Sequence, residues 1–182
     1  MKERLPRRVM ELLQAAGETA YRLEMRAYAV GGFVRDLVMR GENLDVDIVV
    51  EGDGIAFAEA FAASHGARVR PHHKFGTAVL VFPDGFKVDV ATARVEYYLE
   101  PAALPTVEYS SLKQDMYRRD FTVNTLAVRL NPAGFGELID FFGAQRDIKE
   151  KVIRVLHSLS FVEDPTRILR AMRFERRFGF TV

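Results

Sequence analysis

The sequence predicts a fold of mixed α and β structure, and three observations lead there. Apolar residues switch between helical and strand periods in short alternation, without internal repeats or low-complexity segments. Of the 182 residues 48% are hydrophobic, enough to bury a proper core in one domain or slightly more. Glycine, proline and capping residues fall where the period changes.

Taken in order, residues 7 to about 25 form an amphipathic pattern that predicts a helix, followed by a short strand over 27–30. Gly31 and Gly32 read as a turn, 33–40 as a helix ended by Gly41, and 45–50 as a strand whose Val46, Ile48 and Val50 point one way. Asp45 and Asp47 therefore share the opposite face. Asp53 is placed to cap a helix over 55–64, and 77–82 and 86–91 flank Pro83-Asp84-Gly85 as a hairpin. Residues 94–110 hold Pro101 and Pro105 and no clean period, which predicts a mobile functional loop. Further on, 112–117 and 121–126 read as helical, 127–130 and 138–141 as extended, and 147–151 as helical. Asp164 as cap, Pro165 in the first turn and Gly179 past the end bound the last helix. At about 100° per residue, Arg167 projects with Ala171, Phe174 and Phe178, whereas Arg170, Arg173, Arg176 and Arg177 gather on another face.

Composition removes several function classes. With no cysteine there is no disulfide framework, no thiolate-bound zinc and no cysteine nucleophile, which suits a reducing cytoplasm. The N-terminal stretch is charged and lacks a continuous apolar run, so neither a signal peptide nor a membrane partner is expected. A net charge of +1 argues against nucleic-acid binding over the whole surface but permits a local basic patch, such as the arginines between 167 and 177.

The two aspartates carry the chemistry. At i and i+2 on a strand they stand about 7 Å apart, so their oxygens can converge on divalent cations. Hard oxygen ligands favour Mg2+ over zinc, and His72-His73 lacks the i, i+4 spacing of a helical zinc pair; those histidines read as surface or hydrogen-bonding residues. Asp89, in Lys87-Val88-Asp89-Val90, offers a third strand carboxylate, and three acids on neighbouring strands would suit a two-metal site. An ordinary polar strand face is the alternative. Gly31 and Gly32 lack Cβ atoms, so backbone could approach a triphosphate closely while the next helix presents its amides. Arg35 lies in that helix's first turn, facing either phosphate or an ion-pair partner such as Asp36.

Gly31-Gly32-Phe33-Val34-Arg35-Asp36 followed by Asp45-Val46-Asp47 resembles the signature of the DNA-polymerase-β-like nucleotidyltransferase superfamily. Arg118-Arg119-Asp120-Phe121-Thr122-Val123-Asn124 and Glu163-Asp164-Pro165-Thr166-Arg167 resemble two further motifs of class II CCA-adding enzymes and bacterial poly(A) polymerases. The resemblance implies an α+β head, a small mixed β-sheet backed by helices, in which Asp45 and Asp47 hold Mg2+ and Asp89 orients or deprotonates an attacking hydroxyl. It implies a division into an N-terminal helical extension (1–26), a catalytic head (27–160) and the start of a base-recognition and neck region (161–182) that looks truncated. The segment from Gly143 to Asp147 resembles the family's flexible catalytic motif, against a plain glycine turn before a helix.

Asp120 and Asn124, four apart and so on one helix face, could grip ribose hydroxyls, which favours RNA precursors over DNA. Arg118 or Arg119 could bind triphosphate. Asp164 as acceptor beside Arg167 as donor could read the exocyclic amine of cytosine or adenine, with uracil and guanine penalised by about 1 to 3 kcal/mol; Asp164 serves equally as a helix cap. Arg170 and Arg173 face either phosphate or solvent. The expected activity is template-independent transfer of CMP or AMP, from CTP or ATP, to the 3′ end of RNA, foremost tRNA. A-only or CC-only addition, poly(A) synthesis and a non-catalytic nucleotide-binding or RNA-binding module are the alternatives. Oligomeric state is not legible.

Overall fold

The computed structural model describes residues 4–97 and 106–182. Helix α1 (Arg7–Arg22) leads into β1 (Arg26–Val30), α2 (Gly31–Val38), β2 (Val46–Glu51) and α3 (Gly54–His65). Asp53 caps α3, accepting from the amides of Ile55 and Ala56, and Gly66 closes it in the left-handed region. Strands β3 (Arg68–His72), β4 (Thr77–Val81) and β5 (Lys87–Thr92) follow, then β6 (Arg94–Tyr97) and β7 (Thr106–Tyr109). The C-terminal half holds α4 (Leu112–Tyr117), β8 (Leu126–Arg129), β9 (Leu138–Asp140), α5 (Ala144–Glu150), α6 (Ser160–Glu163) and α7 (Thr166–Phe178).

Seven strands form one sheet in the order β3-β4-β5-β2-β1-β8-β9, antiparallel throughout except for the parallel pair β2 and β5. The sheet is thus mixed and backed by helices, as expected. Alternation along each strand sorts the residues. Val46, Ile48, Val50, Leu80, Val88 and Val90 pack with Leu13, Phe57 and Phe61 of α1 and α3 in the main core. The opposite face is covered only in part: Leu112 and Met116 of α4 lie on Tyr28, Val30, Val49 and Ala127. A capping box between Ser111 and Gln114 starts α4, and Glu51 accepts the Leu112 amide at 2.7 Å, so the helix is anchored to the sheet. Over β3, β4 and β5 no described helix covers that face. A third core, with Phe121, Val123, Ile153, Ala171, Phe174 and Phe180, fastens α7 to the rest.

Several expectations need correction. Gly31 and Gly32 are not a separate turn but the first residues of α2, and the left-handed residue closing that helix is Arg40, not Gly41. Residues 121–126 are not helical: a short 3-10 turn over Thr122–Asn124 runs straight into β8. Asp120 Oδ1 takes the Phe121 amide and the Asn124 side chain, and Thr125 Oγ1 bonds back to the Thr122 carbonyl, so side chains compete for the groups a helix would use. The stretch expected as a loop over 94–110 contains β6 and β7, paired antiparallel with Arg94 opposite Tyr109; residues 98–105 lie outside the described residues. Strand β3 and helix α6 were not anticipated, β3 because Pro71 and three exposed polar residues leave it a single apolar position, the pattern of an edge strand. Among the described residues no helix is long and apolar enough to cross a membrane.

Candidate active site

Strand β1 passes directly into α2, so the first amides of the helix, which lack intrahelical partners, belong to Gly31 and Gly32 at the wall of a cleft of about 550 Å³. Gly31 has φ +68°, and a Cβ there would stand 2.8 Å from Arg119 Nη1 and 3.6 Å from Asp47 Oδ2. The chain's own geometry requires glycine at that position. Gly32 is different. A Cβ on it would meet Arg35 Nη2 at 3.6 Å and Asn43 Nδ2 at 3.8 Å, ordinary contacts, so internal packing tolerates a side chain there. The space kept free beside its amide is a cradle a Cβ would fill, between an arginine and the start of a helix, and its chemistry suits an anion.

Asp47 points from β2 into the same cleft, and Asp45, just ahead of the strand, lines it too, its amide held by Asn43 Oδ1 at 2.9 Å. Asp89 is the in-register neighbour of Asp47 across the parallel pair of strands, hence on the same face. It does not line the cleft. It borders an adjoining groove of about 370 Å³ over the open sheet, floored by Thr77, Val79 and Ala91, and Asp47, Arg118 and Arg119 border both spaces. Burial pushes the Asp47 carboxyl up to about 6, with Arg119 opposing and the charges of Asp89 and Asp45 adding to the rise. Asp89 is raised as well, by burial first and then by Asp45, against Lys87. Carboxylates crowded in this way are stabilised by a cation. Among the described residues no three acidic or histidine side chains form a ready-made cage. Two carboxylates with room for phosphate oxygens is the arrangement Mg2+ accepts, so the residues fit that ion.

Arg118 and Arg119 are held by one buried carboxylate, Asp115: Arg118 Nη2 at 2.7 Å from Oδ1 and Arg119 Nη2 at 3.2 Å from Oδ2. Burial alone would raise Asp115, but the two guanidiniums outweigh it and hold the acid below the usual carboxylate range. Arg119 donates Nη1 to the Asn124 carbonyl, while its buried Nε has no partner. It is Arg119 Nη1, rather than the orphaned Nε, that stands beside Gly31 at the cleft wall.

Asp120 and Asn124 meet as expected, though through a bend and a 3-10 turn rather than along a helix: Asn124 Nδ2 donates to Asp120 Oδ1 at 2.8 Å. Arg170 donates Nε and Nη2 to Asp120 Oδ2 at 2.8 and 2.6 Å. Arg35 takes the partner read as its plainer alternative, Asp36, at 2.7 Å; it also donates to Asn124 Oδ1, and its guanidinium lies 4.6 Å from the Phe178 ring centroid. Pro165, not Asp164 as expected, is the N-cap residue of α7; Asp164, one residue earlier, accepts the Thr166 amide through Oδ1 and leaves Oδ2 toward Arg167 at 3.8 Å. Arg167 is buried on the apolar side of α7, as its spacing predicts, and donates to Ser160 Oγ and the Arg118 carbonyl.

Except for Asp89, every residue singled out for catalysis or nucleotide binding lines the one cleft. Asn43, Arg173 and Arg177 line it in addition. Asn43 and Asp115 carried no motif; an amide two residues before Asp45 and an acid three and four residues before the arginine pair were the available signals. Seven arginines and four aspartates surround the cleft, so a chain of net charge +1 concentrates cations where an anion would sit. Asp147, by contrast, is fully buried, accepting from Thr122 Oγ1 and Arg154, behind a left-handed Gly143 that opens α5, the plain glycine turn. His72 and His73 are exposed.

Residues 27–154 match the family described as the poly(A) polymerase head domain. The A-adding tRNA nucleotidyltransferase of Geobacter sulfurreducens is 64% identical over 182 residues, all of this chain and 21% of that protein. A solved structure of a CCA-adding enzyme, apo form II, superposes with a TM-score of 0.94 at 54% identity, covering 99% of this chain and 43% of that one. The Thermotoga maritima CCA-adding enzyme complexed with tRNA gives 0.88 at 49% identity, with 99% and 40% covered. The chain thus spans about a fifth of the length of the Geobacter sulfurreducens relative.

Proposed function

Because the chain belongs to the poly(A) polymerase head-domain family, we propose that it is the nucleotide-transferring part of a tRNA nucleotidyltransferase, adding AMP or CMP from ATP or CTP to a tRNA 3′ end without a template. The observation that carries this reading is the meeting of two spaces at Asp47: a cationic cleft walled by Gly31 and Gly32, and an open groove holding Asp89. The 64% identity to an A-adding relative favours A addition. The likeness to CCA-adding structures supports addition of all three nucleotides as a second reading.

The triphosphate lies in the cleft, against the α2 amides and the charges of Arg118 and Arg119. Asp45 and Asp47 would hold Mg2+. When bound, the metal supplies charge neutralisation and a lowered pKa for the attacking hydroxyl. The RNA 3′-oxygen enters from the groove beside Asp89, which is placed to orient it and accept its proton. That oxygen forms a bond to the α-phosphorus as the bond to pyrophosphate breaks. Asp120 and Asn124 meet the ribose, and their contacts with Arg170 and Arg35 hold both polar heads in place. Asp164 Oδ2, the oxygen that the bonds to Thr166 leave free, accepts the exocyclic amine of adenine or cytosine, with Arg167 fixing its position. Within this reading residues 1–26 are an N-terminal helical extension, 27–160 the catalytic head and 161–182 the start of the base-reading region, and the whole protein works in the cytoplasm.

Asp47→Ala should abolish incorporation while circular dichroism stays as in wild type and the melting temperature does not fall, since a strained carboxylate is removed; unchanged turnover with Mg2+ would remove the assignment. Supplying ATP and CTP separately to tRNAs ending before, within and after the CCA end, and measuring product lengths, separates A addition from CCA addition.

A further inference from the structure

We propose that the exposed edge strand β3 is a phosphate track, in which Arg70 and Arg68 hold the RNA strand a few nucleotides upstream of the end being extended. The inference rests on the nucleotidyl-transfer reading and adds the path of the acceptor. Strand register is its basis. Arg70 stands opposite Val79, Val79 opposite Asp89, and Asp89 beside Asp47, so these four residues form one row on one face of the sheet. With strands about 4.8 Å apart, the Arg70 backbone is about 14 Å from that of Asp47, the length of a few stacked nucleotides. Arg68 lies in the next row, opposite Val81 and then Lys87, and His72 in the row of Thr77.

Among the described residues the face between is open. Helix α4 covers the sheet over β1, β2 and β8, while Val79, Val81, Asp89 and Lys87 keep some or full exposure. A strand leaving the groove beside Asp89 on this side crosses Val79 and meets cations at the edge. Among the described residues Arg68 and Arg70 make no ion pair and no side-chain hydrogen bond, so their charge is free for a partner. Asp47 and Asp89 at one end of the row and Arg70 at the other, with Arg68 beside it, give direction: metal and triphosphate inside, phosphodiester outside. The rival use of such residues is to keep an edge strand from pairing with other chains, for which Pro71 already suffices.

The test is the Arg68→Ala/Arg70→Ala double variant of the whole protein, with Arg68→Lys/Arg70→Lys beside it. The alanine variant should raise the KM for a tRNA acceptor about 10-fold and lower the slope of log affinity against log salt by about 1.4, two phosphate contacts on a single strand. Its KM for ATP and its melting temperature should not move, and the lysine variant should keep most of the salt slope. Unchanged tRNA affinity and salt slope in a variant that still transfers nucleotides would overturn the track while leaving the activity standing. Altered oligomeric state with unchanged tRNA affinity would assign the strand to edge protection instead. Absence of transfer by the wild-type protein is the separate failure, that of the parent reading.

Discussion

Asp47 is set against its own ionisation. Burial, with Asp89 and Asp45 beside it, raises its carboxyl from 3.8 to about 6, although Arg119 pulls the other way. A folded value above the unfolded one means the native state binds the proton more tightly. The group's contribution to stability is therefore greatest below about pH 4 and is lost as pH rises through about 6. In metal-free buffer Asp47→Asn should stabilise the fold at pH 7.5 by about 2 kcal/mol, allowing for partial solvent screening, and the gain should vanish near pH 4. Urea unfolding at the two values checks it; equal gains at both would show that the strain is not electrostatic. The aspartates were legible because a period-two strand with acids on one face leaves few readings. The strain was not, since it depends first on how the tertiary fold buries the carboxyl and then on Asp89 arriving in register from a strand some forty residues away. Half of the role of Asn43 was hidden likewise: its bond to the Asp45 amide has the local spacing of an Asx turn, but its bond to Asp36 is set by how α2 folds back on the loop.

Helix α4 has only six residues and would not persist alone, yet it positions two of the cations that face the cleft. Its Ser111 cap fixes the start, Glu51 ties that start to β2, and Asp115 on the buried side grips Arg118 and Arg119 just beyond the helix end. Removing the acid leaves two guanidiniums beside the core without a counter-charge. Asp115→Asn should cost about 2 to 3 kcal/mol at pH 7, less than for a fully buried pair because both arginines reach solvent. For a depressed acid the stabilisation is present above the unfolded pKa and lost as pH falls through the folded one, so the gap between wild type and variant should begin to narrow only below about pH 4. Thermal melts from pH 7 to pH 3 follow this; a constant difference would mean lost packing rather than lost charge. Elements bounded by strong local signals, such as α3 with its Asp53 cap and the hairpin at Pro83-Asp84-Gly85, were readable in advance. Elements defined by distant partners were not. The stretch after Asp120 has helical spacing on paper, but Asp120 spends its oxygens on Phe121, Asn124 and Arg170, and the chain turns into β8.

Across the whole molecule the cleft is closed by a helix that belongs to neither face of the sheet. Helix α7 brings Asp164, Arg167 and Arg170, and it reaches the head through the third core: Phe174 meets Phe121 edge to face at 5.7 Å and stacks on Phe178 at 5.6 Å. The guanidiniums of Arg35 and Arg170 lie within 5.4 and 5.6 Å of the same Phe174 ring, so one side chain joins α2, α7 and the Asp120 turn. If the base is read by α7 while the phosphates are held by α2 and α4, loosening this joint should weaken nucleotide binding before it unfolds the sheet. Phe174→Ala should cost about 3 kcal/mol, the low end for a buried phenylalanine because some surface stays wet, and raise the KM for ATP about 10-fold. Phe174→Leu, keeping most of the volume, should recover most of both. Loss of stability with an unchanged KM would show that α7 holds its place by the Arg170–Asp120 and Arg167–Ser160 contacts alone, and that the aromatic joint serves folding but not the cleft.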